Sequence, residues 1–390
     1  MSEEIRLLLD IAILLFSAKV MGEVAERLKI DAMVGEILAG ILVGPILGLV
    51  NPNAMLAALA TIGVVMLLFL MGLSTRFDEV KSYVWNGSII GIIAALLSLA
   101  GGLAAGLLIF DSWIAGAVIG VALMGTSTAV PIKILLRSGQ FRTRAGQLLV
   151  AIAMADDVVT ILGLSLLSTW LALGYVSFGS AVLLGFAMVG FILLVLTVGS
   201  RFSDRVLGLV QRMQDEQILM ALPVAGMFGL AWLSDSLGIA AVTGAFLAGM
   251  AMAKSVFAEP VIVPKVKMLG YGFFVPLFFA YSALIIDLSL LAQWWWVIAV
   301  LFAVGAVTKV ASSGLMASRL GYKGKEAGIV AIGMIPRGEY GIVIAQLALA
   351  VGAIANHVYG SLLAFIILSV VVTPILFRLY LSRSFRGWGG

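Results

Sequence analysis

Cysteine is absent from the chain, and histidine occurs once, at His357. The first absence removes disulfides, thiolate metal sites and redox pairs. The second leaves no histidine triad and no His-rich metal centre. Charge is the next scarcity: Asp, Glu, Lys and Arg make up 11% of 390 residues, against roughly 25% in an ordinary soluble domain. A water-soluble fold needs more polar surface than this chain can supply. What is abundant is apolar: 62% of the residues are hydrophobic, in runs close to the roughly 20 residues that span a bilayer as a helix. The net charge of +4 carries no message about nucleic acid, because the basic residues are dispersed along the chain.

Apolar windows bounded by charge, Gly or Pro predict an all-α polytopic membrane protein of about thirteen spans. They run approximately over 5–26, 32–50, 54–75, 86–110, 112–136, 144–172, 176–200, 216–235, 237–254, 267–287, 291–318, 326–352 and 358–382. Residues 5–26 count as a span and not as a removed leader, because Asp10 and Lys19 interrupt the apolar run. Lys and Arg fall in the connections after odd-numbered spans (27–29, 76–81, 137–144, 201–212, 254–267 and 319–325) and in the tail. The alternate connections, near Asn51, Asp111, Gly174, Asp235, Asp287 and Asn356, hold none. Cytoplasmic loops retain positive charge, so the N-terminus is expected outside and the C-terminus in the cytoplasm. The basic 201–216 connection reads as an amphipathic surface helix or a solvated linker. Trp294, Trp295 and Trp296 read as an interfacial belt.

Within the spans lie Lys19, Glu23, Glu36, Lys133, Asp156, Asp157, Lys309, Arg337 and Glu339, each costing about 2.5–3.5 kcal/mol at a helix centre. Lys19 and Glu23, four residues apart, read as a pair. Lys133, one turn from Arg137, reads as a cytoplasmic anchor, and Glu36 as part of the cytoplasmic rim. Asp156 and Asp157 are central in the sixth span. Adjacent helical residues point about 100° apart, so the two carboxylates must meet different partners. One can face a water-filled cavity while the other meets a buried cation, and the basic residue embedded midway in a span is Lys309. A static salt bridge beside one neutral Asp is the purely structural alternative, but two buried carboxylates against one amine stabilise a bundle poorly. The chemistry this arrangement suits is competition between a proton and a small hard cation for carboxylate oxygen.

Two spans carry helix-breaking signals. The fifth contains Gly125-Thr-Ser-Thr-Ala-Val-Pro131 and the twelfth Gly333-Met-Ile-Pro-Arg-Gly-Glu-Tyr-Gly341. Proline removes a backbone donor and glycine weakens the helix, so both predict unwinding at mid-membrane. Thr126, Ser127 and Thr128 offer neutral oxygens, and Arg337 and Glu339 offset half-helix dipoles or pair with each other. The breaks are seven spans apart, and an odd offset in alternating topology inverts the second relative to the first. This is the pattern of an inverted repeat, spans one to six and eight to thirteen, whose broken helices cross. The many glycines elsewhere, Gly102, Gly106, Gly116 and Gly120 among them, read as close helix packing.

On the Asp156-Asp157 pair, the Lys309 position and the paired breaks, the chain resembles the sodium/proton antiporters of the second cation/proton antiporter family, over nearly its whole length. The resemblance implies electrogenic exchange of Na+ or Li+ for H+ across the cytoplasmic membrane by elevator-like alternating access, in a homodimer, with no cofactor. It implies a dimerisation panel from 1–85 and 216–290, a mobile core from 86–172 and 291–390, and a linker at 173–215. Asp157 would be the principal cation and proton site, and Asp156 the partner of Lys309. A potassium/proton antiporter is the alternative within transport, and a cation channel is the alternative outside alternating access. An intramembrane aspartyl protease would need its two acids on separate helices, whereas these are adjacent.

Overall fold

The computed structural model describes residues 3–75, 82–173, 190–201, 205, 217–253 and 262–384. The 201–216 connection lies almost wholly outside them. The described elements are helices: α1 Glu3–Arg27, α2 Ala32–Ile41, α3 Ala54–Ser74, α4 Val84–Phe110, α5 Trp113–Met124, α6 Ala129–Arg137 and α7 Arg144–Leu173. They continue with α8 Gly190–Gly199, α9 Ile218–Ser236, α10 Ala241–Ala253, α11 Val263–Leu284, α12 Trp295–Arg319, α13 Lys325–Gly333, α14 Glu339–Ala350 and α15 Asn356–Ser384. Among the described residues, eight helical segments are long and apolar enough to cross a membrane, with α5 and α6 taken together as one. Shorter apolar helices, including α10 and α14, supply further segments. The chain is a multi-pass, all-α membrane protein.

Local chemistry sets the helix ends. The Asn53 side chain accepts from the Leu56 amide at 2.9 Å and caps α3. Asp111 ends α4 in the left-handed region at φ 48°, and Ser112 then caps α5 by accepting from Ala115 N at 3.2 Å. This two-residue connection folds α4 and α5 into a tight hairpin. Gly102 packs on Gly120 there: a Cβ on Gly102 would fall 2.5 Å from the Gly120 Cα.

The chain divides into two units. Unit 1 comprises Met1–Glu23, Gly35–Arg76 and Ser168–Ile285. In it α10 and α11 pack on α3, and a core forms around Leu14, Ala39, Val43, Leu277 and Ala280. Lys19 reaches Glu36 at 3.4 Å and the Tyr271 carbonyl at 3.1 Å. Glu36 is a buried ion-pair partner of Lys19.

Unit 2 comprises Val24–Val34, Phe77–Leu167 and Ile286–Gly390, with a core around Ile90, Leu148, Ile152, Val330 and Phe377. Residues 24–34 belong to this unit and are tied to it by ion pairs. Lys133 of α6 donates to Glu26 Oε1 at 2.5 Å and to Asp31 Oδ2 at 2.9 Å. Lys133 is thus the centre of an ion-pair triad. Of the tryptophan run, Trp295 and Trp296 are exposed, whereas Trp294 stacks on His357 with centroids 4.5 Å apart and on Phe110 at 5.6 Å.

Candidate functional site

Every residue singled out at mid-membrane as functional lies in unit 2. α5 stops at Met124 because Gly125 adopts extended backbone, and α6 resumes only at Ala129. α13 stops at Gly333, and after Met334–Gly338, which includes Pro336, α14 starts at Glu339. The two unwound stretches cross and bond to each other: Ser127 N donates to the Pro336 carbonyl at 2.9 Å. Unwinding frees backbone groups that lipid cannot satisfy, and here each break satisfies part of the other.

Beside this crossing the middle of α7 presents Asp156 and Asp157, both buried. Gly91 of α4 lets α7 approach at this level, since a Cβ there would meet Ala155 Cβ at 3.0 Å and Asp156 N at 3.2 Å. Lys309 of α12, fully buried, donates to Asp156 Oδ1 at 2.5 Å and to the Met124 carbonyl at 2.5 Å. Met124 is the last residue of half-helix α5, so the ammonium sits at the negative end of a helix dipole as well as on a carboxylate. Nothing in the sequence marks a backbone carbonyl as a ligand. Immediately after Lys309 the helix opens into a π-turn over Val310–Gly314, and Ser313 Oγ donates to the Lys309 carbonyl. Such turns recur at functional sites; the only sequence hint is Ser312-Ser313-Gly314.

Asp157 takes a different partner. Thr128 Oγ1, at the foot of the first break, donates to Asp157 Oδ2 at 3.4 Å. Thr126 and Ser127 are buried, and Thr128 is partly exposed. Arg337 is fully buried in the second break, where its Nη2 donates to the Gly305 carbonyl at 2.6 Å and its amide to Ser369 Oγ at 2.9 Å. Its side-chain partner is thus a backbone carbonyl and not Glu339. Glu339 is partly buried in the first turn of α14, at the positive end of that half-helix.

Buried polar atoms normally find partners. Among the described residues, the buried side-chain atoms without a hydrogen-bond partner are Thr126 Oγ1, Asp156 Oδ2, Asp157 Oδ1, Thr160 Oγ1, Arg337 Nε and Nη1, and Tyr340 OH. All belong to this one place. The carboxylate and hydroxyl oxygens among them form a donor set suited to a small hard cation. Among the described residues no group of three or more His, Cys, Asp or Glu could hold a metal ion. Thr160 and Tyr340 were not evident from sequence, since a lone hydroxyl on an apolar helix carries no signal without its neighbours.

The comparisons with known proteins agree with this architecture. A family model described as sodium/hydrogen exchanger, transmembrane, matches residues 12–383. The chain is 26% identical over 372 residues to the Na+/H+-K+ antiporter GerN of Bacillus cereus, with 95% of each chain covered. It is 25% identical over 386 residues to a Na+/H+ antiporter of Enterococcus hirae, covering 96% of this chain and 98% of that one. In fold it is similar to the sodium proton antiporter MjNhaP1 of Methanocaldococcus jannaschii, with a TM-score of 0.76 at 17% identity and coverage of 96% and 99%.

Proposed function

The chain belongs to the sodium/hydrogen exchanger family, and from that premise we infer that it is a secondary transporter exchanging Na+ for H+, with Asp157 as the shared site. The observation that carries the assignment of the site is the buried acid pair at the crossing of two broken helices. One acid is neutralised by Lys309, and among the described residues the other takes its hydrogen bond from Thr128. A proton or a sodium ion on Asp157 cancels the same single negative charge, so the two compete. Arrival of one expels the other, which is exchange.

Asp156 with Lys309 is the second element. Its ion pair keeps a charged acid available one residue from Asp157 without a net charge in the membrane. A sodium ion that engages both carboxylates draws Asp156 from the ammonium and frees the ammonium proton. In that scheme more protons than sodium ions move per cycle, and transport is electrogenic. Thr126, Ser127 and Thr128 supply neutral oxygens, while Arg337 and Glu339 hold the second break. Unit 2 contains the whole site and is the part that carries the ion by elevator-like movement. Unit 1 is the dimerisation panel of a homodimer. The alternation of basic connections supports an N-terminus outside and a C-terminus inside the cytoplasmic membrane.

Reconstituted into proteoliposomes with an imposed pH gradient, the protein is expected to collapse that gradient on addition of Na+ or Li+. A gradient that persists in Na+ would overturn the reading. Because GerN is named for potassium as well as sodium, K+ is the second cation to test. Collapse by K+ alone would move the assignment to potassium/proton exchange.

A further inference from the structure

Two buried hydroxyls at the first break, those of Thr160 and Tyr340, have no role in the scheme above. On α7, Thr160 follows Asp156 by four residues and Asp157 by three. At about 100° per residue its direction falls between those of the two carboxylates, roughly 40° from one and 60° from the other. Tyr340 is the second residue of α14, directly after the second break. The two meet at the first break: a Cβ on Gly125 would lie 3.0 Å from Thr160 Cγ2, 3.1 Å from Tyr340 Cβ and 3.2 Å from Tyr340 Cδ2. Gly125 is therefore the position whose lack of a side chain lets α7 and α14 close on the unwound stretch.

Thr160 and Tyr340 are both 0% exposed, and neither hydroxyl has a hydrogen-bond partner; nor does Thr126 Oγ1, buried at 1% exposure. An unsatisfied buried hydroxyl is destabilising, and an apolar side chain of the same shape would avoid the penalty. Thr160 and Tyr340 flank Gly125, the residue before Thr126, in the same break from which Thr128 reaches Asp157. An ion that leaves water must replace its hydration oxygens, and the number and field strength of the oxygens offered decide which ion is accepted.

We propose that Thr160 and Tyr340 supply two further oxygen ligands to the transported cation, completing with Thr126 and Asp157 a compact cage that favours Na+ over K+. This rests on the reading of Asp157 as the cation site. The cage joins α7, α14 and the unwound stretch after α5, so cation binding draws together both breaks and the acid-bearing helix.

The test compares wild type with Thr160→Val, Thr160→Ser, Tyr340→Phe and Asp157→Asn in proteoliposomes, measuring the Na+ KM and the ratio of Na+ to K+ transport. Na+-induced thermal stabilisation of the purified proteins is measured alongside. Thr160→Val is expected to raise the Na+ KM about tenfold, as for a loss of about 1.4 kcal/mol, with little change at saturating Na+. Thr160→Ser, which keeps the hydroxyl, recovers most of that affinity. Tyr340→Phe lowers the preference for Na+ over K+ and shrinks the Na+-induced thermal shift. If Thr160→Val does not fold, Thr160→Ala read out in the same way decides. Wild-type KM, ion ratio and thermal shift in both Thr160→Val and Tyr340→Phe, with Asp157→Asn inactive, would overturn the cage and leave the Asp157 site standing. Transport surviving in Asp157→Asn would instead overturn the reading on which the cage depends.

Discussion

Asp157→Asn is expected to abolish sodium-driven collapse of a pH gradient while leaving the protein folded. The substitution keeps the shape of the side chain and an oxygen able to accept from Thr128, whose contact with Asp157 is at 3.4 Å. It also removes a buried charge and strands none, so stability is retained. What it removes is the attraction for a cation. Two unit charges at about 4 Å in an effective dielectric of about 20 attract by roughly 4 kcal/mol, which is nearly three decades in affinity. Exchange should therefore fall by roughly a thousandfold, with Na+ KM rising out of the accessible range. A monodisperse peak in size exclusion distinguishes this from misfolding. An inactive variant that also aggregates would not separate chemistry from folding, and Asp157→Ser would then be assayed by the same two readouts.

The second large effect concerns the pair that shares the site. Lys309→Gln leaves Asp156 buried beside the Met124 carbonyl, and among the described residues no other cation stands at hydrogen-bond distance, since Lys309 donates to both. Removing one partner of a buried pair typically costs about 3–5 kcal/mol, because the remaining charge is stranded. Asp156→Asn combined with Lys309→Gln strands nothing. The double variant is therefore expected to melt several degrees above Lys309→Gln alone, a positive coupling between contacting residues. If the single variants and the double variant lose stability additively, the ion pair does not support the fold. Electrical measurement on supported membranes reads the functional side: Lys309→Gln is expected to retain residual exchange without net charge movement. Full electrogenic transport by Lys309→Gln would exclude the lysine as a proton carrier.

These expectations depend on features that differ in how visible they were. Asp156, Asp157 and Lys309 stand out because a charge in an apolar span costs enough to need a reason. The breaks stand out because proline and glycine act on the backbone directly, wherever the chain later goes. The helix order follows from the same contrast between apolar runs and polar connections. The partners of other charges were hidden because they depend on folding. Lys133 finds Glu26 and Asp31, 107 and 102 residues away, and Lys19 finds Glu36 across a helical turnabout. The Met124 carbonyl, the Gly305 carbonyl that takes Arg337, and the π-turn after Lys309 are backbone features with no residue type of their own. Thr160 and Tyr340 become interesting only once their burial and lack of partners are known.

The central claim is that one carboxylate binds Na+ and H+ in turn, and proton release by purified protein tests it most directly. Adding NaCl to weakly buffered protein across a pH series is expected to release protons from wild type, with a release that saturates with Na+ and vanishes in Asp157→Asn. No release from wild type at any pH, or equal release from Asp157→Asn, would contradict the account.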